Sequence, residues 1–264
     1  MSSFDPINES VLRRKLDEAQ VACESLQVFS ELDSTNAYLM RQTEAEGFQV
    51  CVAEAQTHGR GRRGKPWLAP MGSGLTFSCV QRLSSTQGRL AGFSLAVGIT
   101  LAEKLTYLGL PRVALKWPND LCVDGKKLAG LLIEVQPSVV GKSAVVTGIG
   151  LNYALSSEQS KEIDQPCVGV TQLGLGLSRS ELLAELLIAL AQAYEDYEER
   201  GFSSFYSRWS RWDLLQGREV NLILPKRILQ GVAKGVDQSG CLRILVAGQL
   251  RTFSSGEVSV RVAQ

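Results

Sequence analysis

GRGRRGKPW, Gly59–Trp67, packs three glycines and four cations (Arg60, Arg62, Arg63 and Lys65) into one short stretch that ends in an indole. Glycine lets the backbone take positive φ and come close to a ligand. Guanidinium groups grip carboxylate and phosphate oxygens through paired hydrogen bonds. Trp67 offers a flat π surface on which a base can stack. No Asp or Glu occurs between Glu54 and Glu103, where even spacing would place about five. A field of one sign suits a ligand with several negative charges. The stretch is neither GxxxxGK[ST] nor GxGxxG, and basic runs also occur as solvated loops or non-specific nucleic-acid patches. It predicts a loop that orders around an anion, and its meaning depends on the clusters around it.

Outward from this loop, Gln49–Ala55 alternates as a strand before it, and Gly74–Leu83 reads as a strand after it. Asp33-Ser34-Thr35-Asn36 is a helix-start cluster ahead of AYLM. Leu90–Leu108 has helical spacing. Val113–Lys116 is a short strand that breaks at Pro118, and Leu121–Val123 with Leu128–Val135 forms a hairpin about Asp124-Gly125. Ser143–Leu151 is a further strand. Ser178 and Glu181 make a capping box for an amphipathic helix to Arg200, and a second helix spans Phe202–Trp212. From Gly217 the pattern changes to short, closely spaced strands, the signature of a small all-β barrel. The fold class expected is α/β (α+β): an N-terminal extension over 1–27, a mixed-sheet domain over 28–213 and a barrel over 214–264. Within the extension only Val11–Leu16 reads as helix, too little for a helix-turn-helix.

With 264 residues, 44% hydrophobic and 21% charged, the composition is ordinary for a globular chain with an ample core. A net charge of +1 gives no bulk argument for DNA or a membrane surface. No apolar run approaches the roughly 18 residues of a membrane span, and the N-terminus lacks a signal-peptide pattern. A cytoplasmic location follows as an expectation. The six cysteines lie far apart with no CxxC, which favours reduced, buried thiols. His58 is the single histidine, so Ser-His-Asp chemistry or a histidine metal site is disfavoured.

Three further clusters bear on chemistry. KWPND, Lys116–Asp120, places Asn119 and Asp120 where a strand breaks, and strand ends of α/β sheets are where ligands bind. An Asp beside an Asn also suits Mg²⁺ with its waters, although Asn-Asp after Pro is equally good turn chemistry. Lys127 precedes the apolar run LAGLLIEV and is the better candidate than Lys126 for a partly buried charge. GIGLN, Gly148–Asn152, closes a strand with glycines and an amide. Together with Ser34, Thr35, Asn36 and Gln56 these residues supply neutral hydrogen-bonders, cations, an aromatic and an inward lysine, but no evident nucleophile or base. That set suits acyl activation, in which an already ionised carboxylate attacks ATP.

GRGRRG, KWPND, KLAG and GIGLN, in this order and spacing, resemble the biotin–protein ligases, and STN at Ser34 and GEVSVR at Gly256–Arg261 fit as well. The resemblance covers about Phe29 to the C-terminus. It implies a seven-stranded mixed-sheet catalytic domain, an SH3-like C-terminal barrel and a two-step reaction. Biotin and MgATP would give biotinyl-5′-AMP and pyrophosphate, and the acyl group would pass to a lysine of a biotin carboxyl carrier domain. It further implies Ser34, Thr35, Asn36 and Gln56 around the biotin head, with Arg60, Gly61 and Arg62 in the loop at the carboxylate and phosphate. Trp67 and Lys65 would lie at the nucleotide, though Lys65 lacks the fork geometry of Arg. Lys127 would touch the carboxylate and α-phosphate, Asn119 and Asn152 the nucleotide, and Asp120 the Mg²⁺. Lys127, Arg60 and Arg62 are the expected catalytic residues. No tightly bound organic cofactor, DNA or membrane partner is expected. Pairing of two subunits along a sheet edge stays open. Many bacterial relatives carry an N-terminal winged helix-turn-helix, for which this chain has no room. The alternatives are a lipoate–protein ligase and a non-catalytic biotin-binding or repressor protein.

Overall fold

The computed structural model describes residues 5–42, 46–84, 90–137, 141–163, 165–224, 227–256 and 258–263. Glu257, within GEVSVR, lies outside them. A seven-stranded mixed sheet is built from β1 (Cys23–Leu32), β2 (Phe48–Gln56), β3 (Gly74–Ser84), β4 (Val113–Lys116), β5 (Asp120–Val123), β6 (Lys126–Gln136) and β7 (Lys142–Asn152). Its order is β1-β2-β3-β7-β6-β5-β4. Only β1 and β2 run parallel, because α2 (Thr35–Arg41) supplies the crossover between them. Every other neighbour is antiparallel. The central β7 is buried along nearly its whole length, since elements cover both faces of the sheet.

One face carries α3 (Phe93–Tyr107) and α5 (Arg179–Arg200), which pack on each other. The capping box read at Ser178 and Glu181 is present: each side chain meets the other's backbone N–H and starts α5. Its stripe of Leu183, Leu186, Leu187, Leu190 and Tyr194 is fully buried. The opposite face is covered by α2, where Leu39 joins Cys51, Val80, Ala144 and Val146 in a smaller cluster. The Asp124-Gly125 turn has φ of 50° and 75°, both positive, as a type I′ hairpin requires.

The N-terminal residues are more integrated than their polarity suggests. The helix α1 (Glu9–Glu18) packs on α5 and buries Leu12 and Leu16. Asp5 and Ile7 bind Arg179 and Glu54. The strand β1, which the sequence reading missed, starts at Cys23 and so runs across the expected 27/28 boundary. A partly exposed edge strand has no clean alternation to read. The short helix α4 (Ser157–Glu162) was also missed. The helices α5 and α6 (Ser203–Trp212) and the first four barrel strands lie where expected, and the last strand, Ser259–Val262, was missed.

The barrel strands β8 (Glu219–Ile223), β9 (Ile228–Val236), β10 (Leu242–Val246), β11 (Gln249–Phe253) and β12 (Ser259–Val262) form one antiparallel sheet, β11-β10-β9-β8-β12. It is tied to the large sheet by Trp117, whose indole N–H donates to Gly240 O at 3.0 Å. The aromatic of KWPND is thus a buried strut between the two sheets.

Candidate active site

A cavity of about 1000 Å³ opens over the ends of β2, β5, β6 and β7. Every site residue named from the sequence lines it: Ser34, Thr35, Asn36, Gln56, Arg60, Gly61, Arg62, Lys65, Trp67, Asn119, Asp120, Lys127 and Asn152. Residues from five separate stretches meet here because strand ends and the glycine loop converge on one rim.

The deep end is a cluster of buried and partly buried polar groups. Ser34, Thr35 and Asn36 are buried at the start of α2, and Ser34 caps that helix through Ala37 N. Thr35 N and its hydroxyl both donate to Gln56 Oε1, at 2.8 and 3.1 Å. Ser78, fully buried on β3, contacts Thr35 Oγ1 at 2.7 Å and Asn36 Oδ1 at 2.6 Å. Asn36 Nδ2 donates to Leu132 O and Glu134 Oε2. Buried polar groups of this kind must find partners, and a site so built rejects ligands that leave them unpaired. The sequence reading missed Ser78 and Glu134. Both are polar residues inside apolar strands, FSCV and LLIEV, and that mismatch was the available signal.

The glycine-basic loop folds over this pocket. An Arg60–Pro66 bridge closes it, and a single 3₁₀ turn spans Arg62–Gly64. Arg63 (φ 56°) and Gly64 (φ 70°) take the left-handed region at its tip. Arg60 Nη2 pairs with Glu134 Oε2 at 3.2 Å. Arg62 donates to Asn119 Oδ1 and to Ser255 O, and Arg63 donates to Ser259 Oγ and Gly256 O. Both central arginines therefore reach the small barrel. Burial, with Arg63 close by, lowers the Arg62 pKa, and Asp120 opposes that shift.

Trp67 turns back under the loop onto bare backbone. Gly130 and Gly150 are paired across β6 and β7. A Cβ on Gly150 would stand 2.1 Å from the indole, and one on Gly130 would stand 3.1 Å from it. Lys127 Nζ lies 5.4 Å from the Trp67 ring centroid and 2.8 Å from Asp120 Oδ1. Asp120, expected as a metal ligand, thus faces the lysine. Asn119 and Asn152 also hold backbone: their amides donate to Leu131 O and Lys127 O.

The chain matches the Biotin/lipoate A/B protein ligase family over residues 28–152 and the Biotin protein ligase C terminal domain over 216–261. It is 35% identical to the bifunctional ligase/repressor BirA of Escherichia coli over 259 residues, covering 98% of this chain and 79% of BirA. The chain belongs to the biotin protein ligase family. It is also 30% identical to the biotin–[acetyl-CoA-carboxylase] ligase of Mycobacterium tuberculosis, across 96% of this chain and 95% of that one. Among solved structures, the Aquifex aeolicus biotin protein ligase in complex with biotin and ATP superposes with a TM-score of 0.77. That match is 29% identical and covers 91% of this chain and all of the other.

The buried thiols and the single histidine of the ligase lie apart from this chemistry. Cys51 and Cys122 are buried, and burial pushes both thiols up to about 12. The His58 ring meets Thr57 Oγ1 at 3.0 Å, and its backbone N–H donates to Asp33 O. Among the described residues no group of three metal-ligating side chains occurs, and no helix is long and apolar enough to cross a membrane.

Proposed function

We propose that the cavity carries out both half-reactions of protein biotinylation. The chain is an ATP-dependent, AMP-forming biotin ligase. Biotin's carboxylate oxygen attacks the α-phosphorus of ATP, an O–P bond forms, and pyrophosphate leaves. The mixed anhydride, biotinyl-5′-AMP, is then opened by a lysine amine of a biotin carboxyl carrier domain, which releases AMP. The observation that carries this reading is the union, in one cavity, of a buried neutral polar pocket, a cationic loop and a half-buried lysine.

The residue roles are those the family resemblance implies, and the shared cavity supports them. Ser34, Thr35, Asn36 and Gln56 receive the ureido head, which needs neutral donors and acceptors. The carboxylate then points toward Lys127, where the ammonium offsets charge in both steps. Arg60, Gly61 and Arg62 close over the acyl phosphate. Trp67 and Lys65, with Asn119 and Asn152, surround the nucleotide. ATP would enter with Mg²⁺, which suits one or two carboxylates and would offset phosphate charge. Asp120 fits that use, with Asn119 beside it, once Lys127 turns to the substrate. The catalytic unit takes in α1 and β1 at its start and ends at about residue 213, and the barrel spans 214–264. The free cysteines suit a reducing cytoplasm.

Biotin-dependent ATP–pyrophosphate exchange by the purified protein, with lipoate in parallel, tests this reading. Exchange with biotin alone is expected. Exchange with lipoate alone would move the assignment to the sister ligases, and exchange with neither would remove the mechanism.

A further inference from the structure

Glu134 sits on β6 in the otherwise apolar run Leu131–Val135, with its side chain 27% exposed. A carboxylate in such a place is costly unless its oxygens are hydrogen-bonded. One oxygen, Oε2, takes both partners: Asn36 Nδ2 at 2.8 Å and Arg60 Nη2 at 3.2 Å. Asn36 belongs to the deep polar pocket and Arg60 to the loop that covers it. A single atom therefore joins the two halves of the site, and its own side chain stands outside the cavity wall.

The same carboxylate fixes the sense of the Asn36 amide. A carboxylate paired with a guanidinium accepts, as does Leu132 O, so the NH₂ side of Asn36 must face both. The carbonyl side is thereby turned to Ser78 Oγ. Gly148 holds the amide from behind, since a Cβ there would fall 2.1 Å from Asn36 Oδ1. Ser78 has one hydroxyl proton and two close partners. With Asn36 Oδ1 taking that proton, Ser78 Oγ accepts from the Thr35 hydroxyl, whose single proton turns from Gln56 Oε1 and leaves that oxygen to Thr35 N. The donor and acceptor order of the pocket thus runs outward from Glu134.

We propose that Glu134 is a positioning residue for biotin adenylation. It presets the Asn36 amide for the ligand head and, by holding Arg60, couples occupancy of that pocket to closure of the loop. The inference rests on the biotin-ligase reading and adds to it a residue that acts through two others.

The test is exchange kinetics on wild type, Glu134→Ala, Glu134→Gln, Arg60→Ala and the double variants, with folding checked by circular dichroism. Glu134→Ala is expected to raise KM for biotin about tenfold, a loss of one shared hydrogen-bonded contact, while KM for ATP stays within about twofold. Arg60→Ala should cost less in the Glu134→Ala background than in wild type. Glu134→Gln keeps the shape and one acceptor oxygen for Asn36. It should recover most of the biotin KM and still show lost coupling to Arg60, and it carries the test if Glu134→Ala does not fold. An unchanged biotin KM, equal losses in both KM values, or purely multiplicative effects with Arg60→Ala would overturn the proposal. A wild-type protein inactive with biotin would instead overturn the ligase reading beneath it.

Discussion

Trp67 lies directly on Gly150: a Cβ at that glycine would stand 2.1 Å from the indole. Gly150 is in an extended strand and has no positive φ, so its bareness serves the contact and not the backbone. Gly150→Ala should leave the fold intact and push Trp67 off the sheet. The expected result is altered tryptophan fluorescence and a fall in kcat/KM for ATP of about tenfold to a hundredfold. Unchanged ATP kinetics in a folded variant would remove Trp67 from the nucleotide site.

Lys127 and Asp120 are held 2.8 Å apart, with both side chains less than one-fifth exposed. Lys127→Ala should reduce biotin-dependent pyrophosphate exchange by about a hundredfold or more, because it deletes the charge nearest the reacting oxygens. It also strands Asp120, at a cost of about 1–3 kcal/mol. Adding Asp120→Ala should return stability without returning activity. Urea unfolding alongside exchange separates the two effects. Near-normal exchange in Lys127→Ala would remove the assigned role.

Arg179 is buried with Glu54 at 2.6 Å, and it also donates to Asp5 O and Gly74 O. Glu54 Oε1 accepts from Ile7 N at 2.6 Å. Truncating one partner of such a pair leaves an uncompensated buried charge. Arg179→Ala should therefore destabilise by about 3–5 kcal/mol. Proteolysis near residues 5–8 should quicken, because those residues lose their anchor. A loss below about 1 kcal/mol in urea unfolding would show that the pair contributes little.

Burial raises the thiols of Cys51 and Cys122 from 9.0 to about 12. The neutral form is kept in the folded state, while the unfolded chain ionises earlier. Each thiol's contribution is thus fully present below pH 9 and is lost as pH rises through about 12. The slope reaches about 1.4 kcal/mol per pH unit per thiol. Cys51→Ala with Cys122→Ala should flatten the alkaline limb of a stability–pH profile. Both native thiols should also resist alkylation at pH 8 until the protein unfolds. Rapid modification of either in the folded protein would contradict their burial.

Much of the site was legible from sequence because its residues break local rules: four cations among glycines, a proline-broken strand end, a lysine before an apolar run. Ser78 and Glu134 broke a rule too, as polar residues in strands, but nothing local says which partner a strand side chain meets. Asn36 lies 98 positions from Glu134, and only the packing of α2 on β6 and β7 brings them together. The edge strand β1 was illegible for a related reason. Its half-exposed side chains show no alternation, and its pairing with β2 comes from the α2 crossover.

By itself, then, the sequence determined the elements whose signals are local: the capping box at Ser178, the type I′ turn at Asp124-Gly125, the amphipathic stripe of α5 and the glycine-basic loop. These depend on backbone dihedrals and periodicity within a few residues. Only the tertiary structure decided how the charges are matched. It set Arg60 on Glu134, Lys127 on Asp120, Arg62 and Arg63 on the small barrel, and Arg179 on Glu54. Ion pairing is settled by which strand ends and loops the packed sheets bring within a few ångströms, and that distance is not a property of any local stretch of chain.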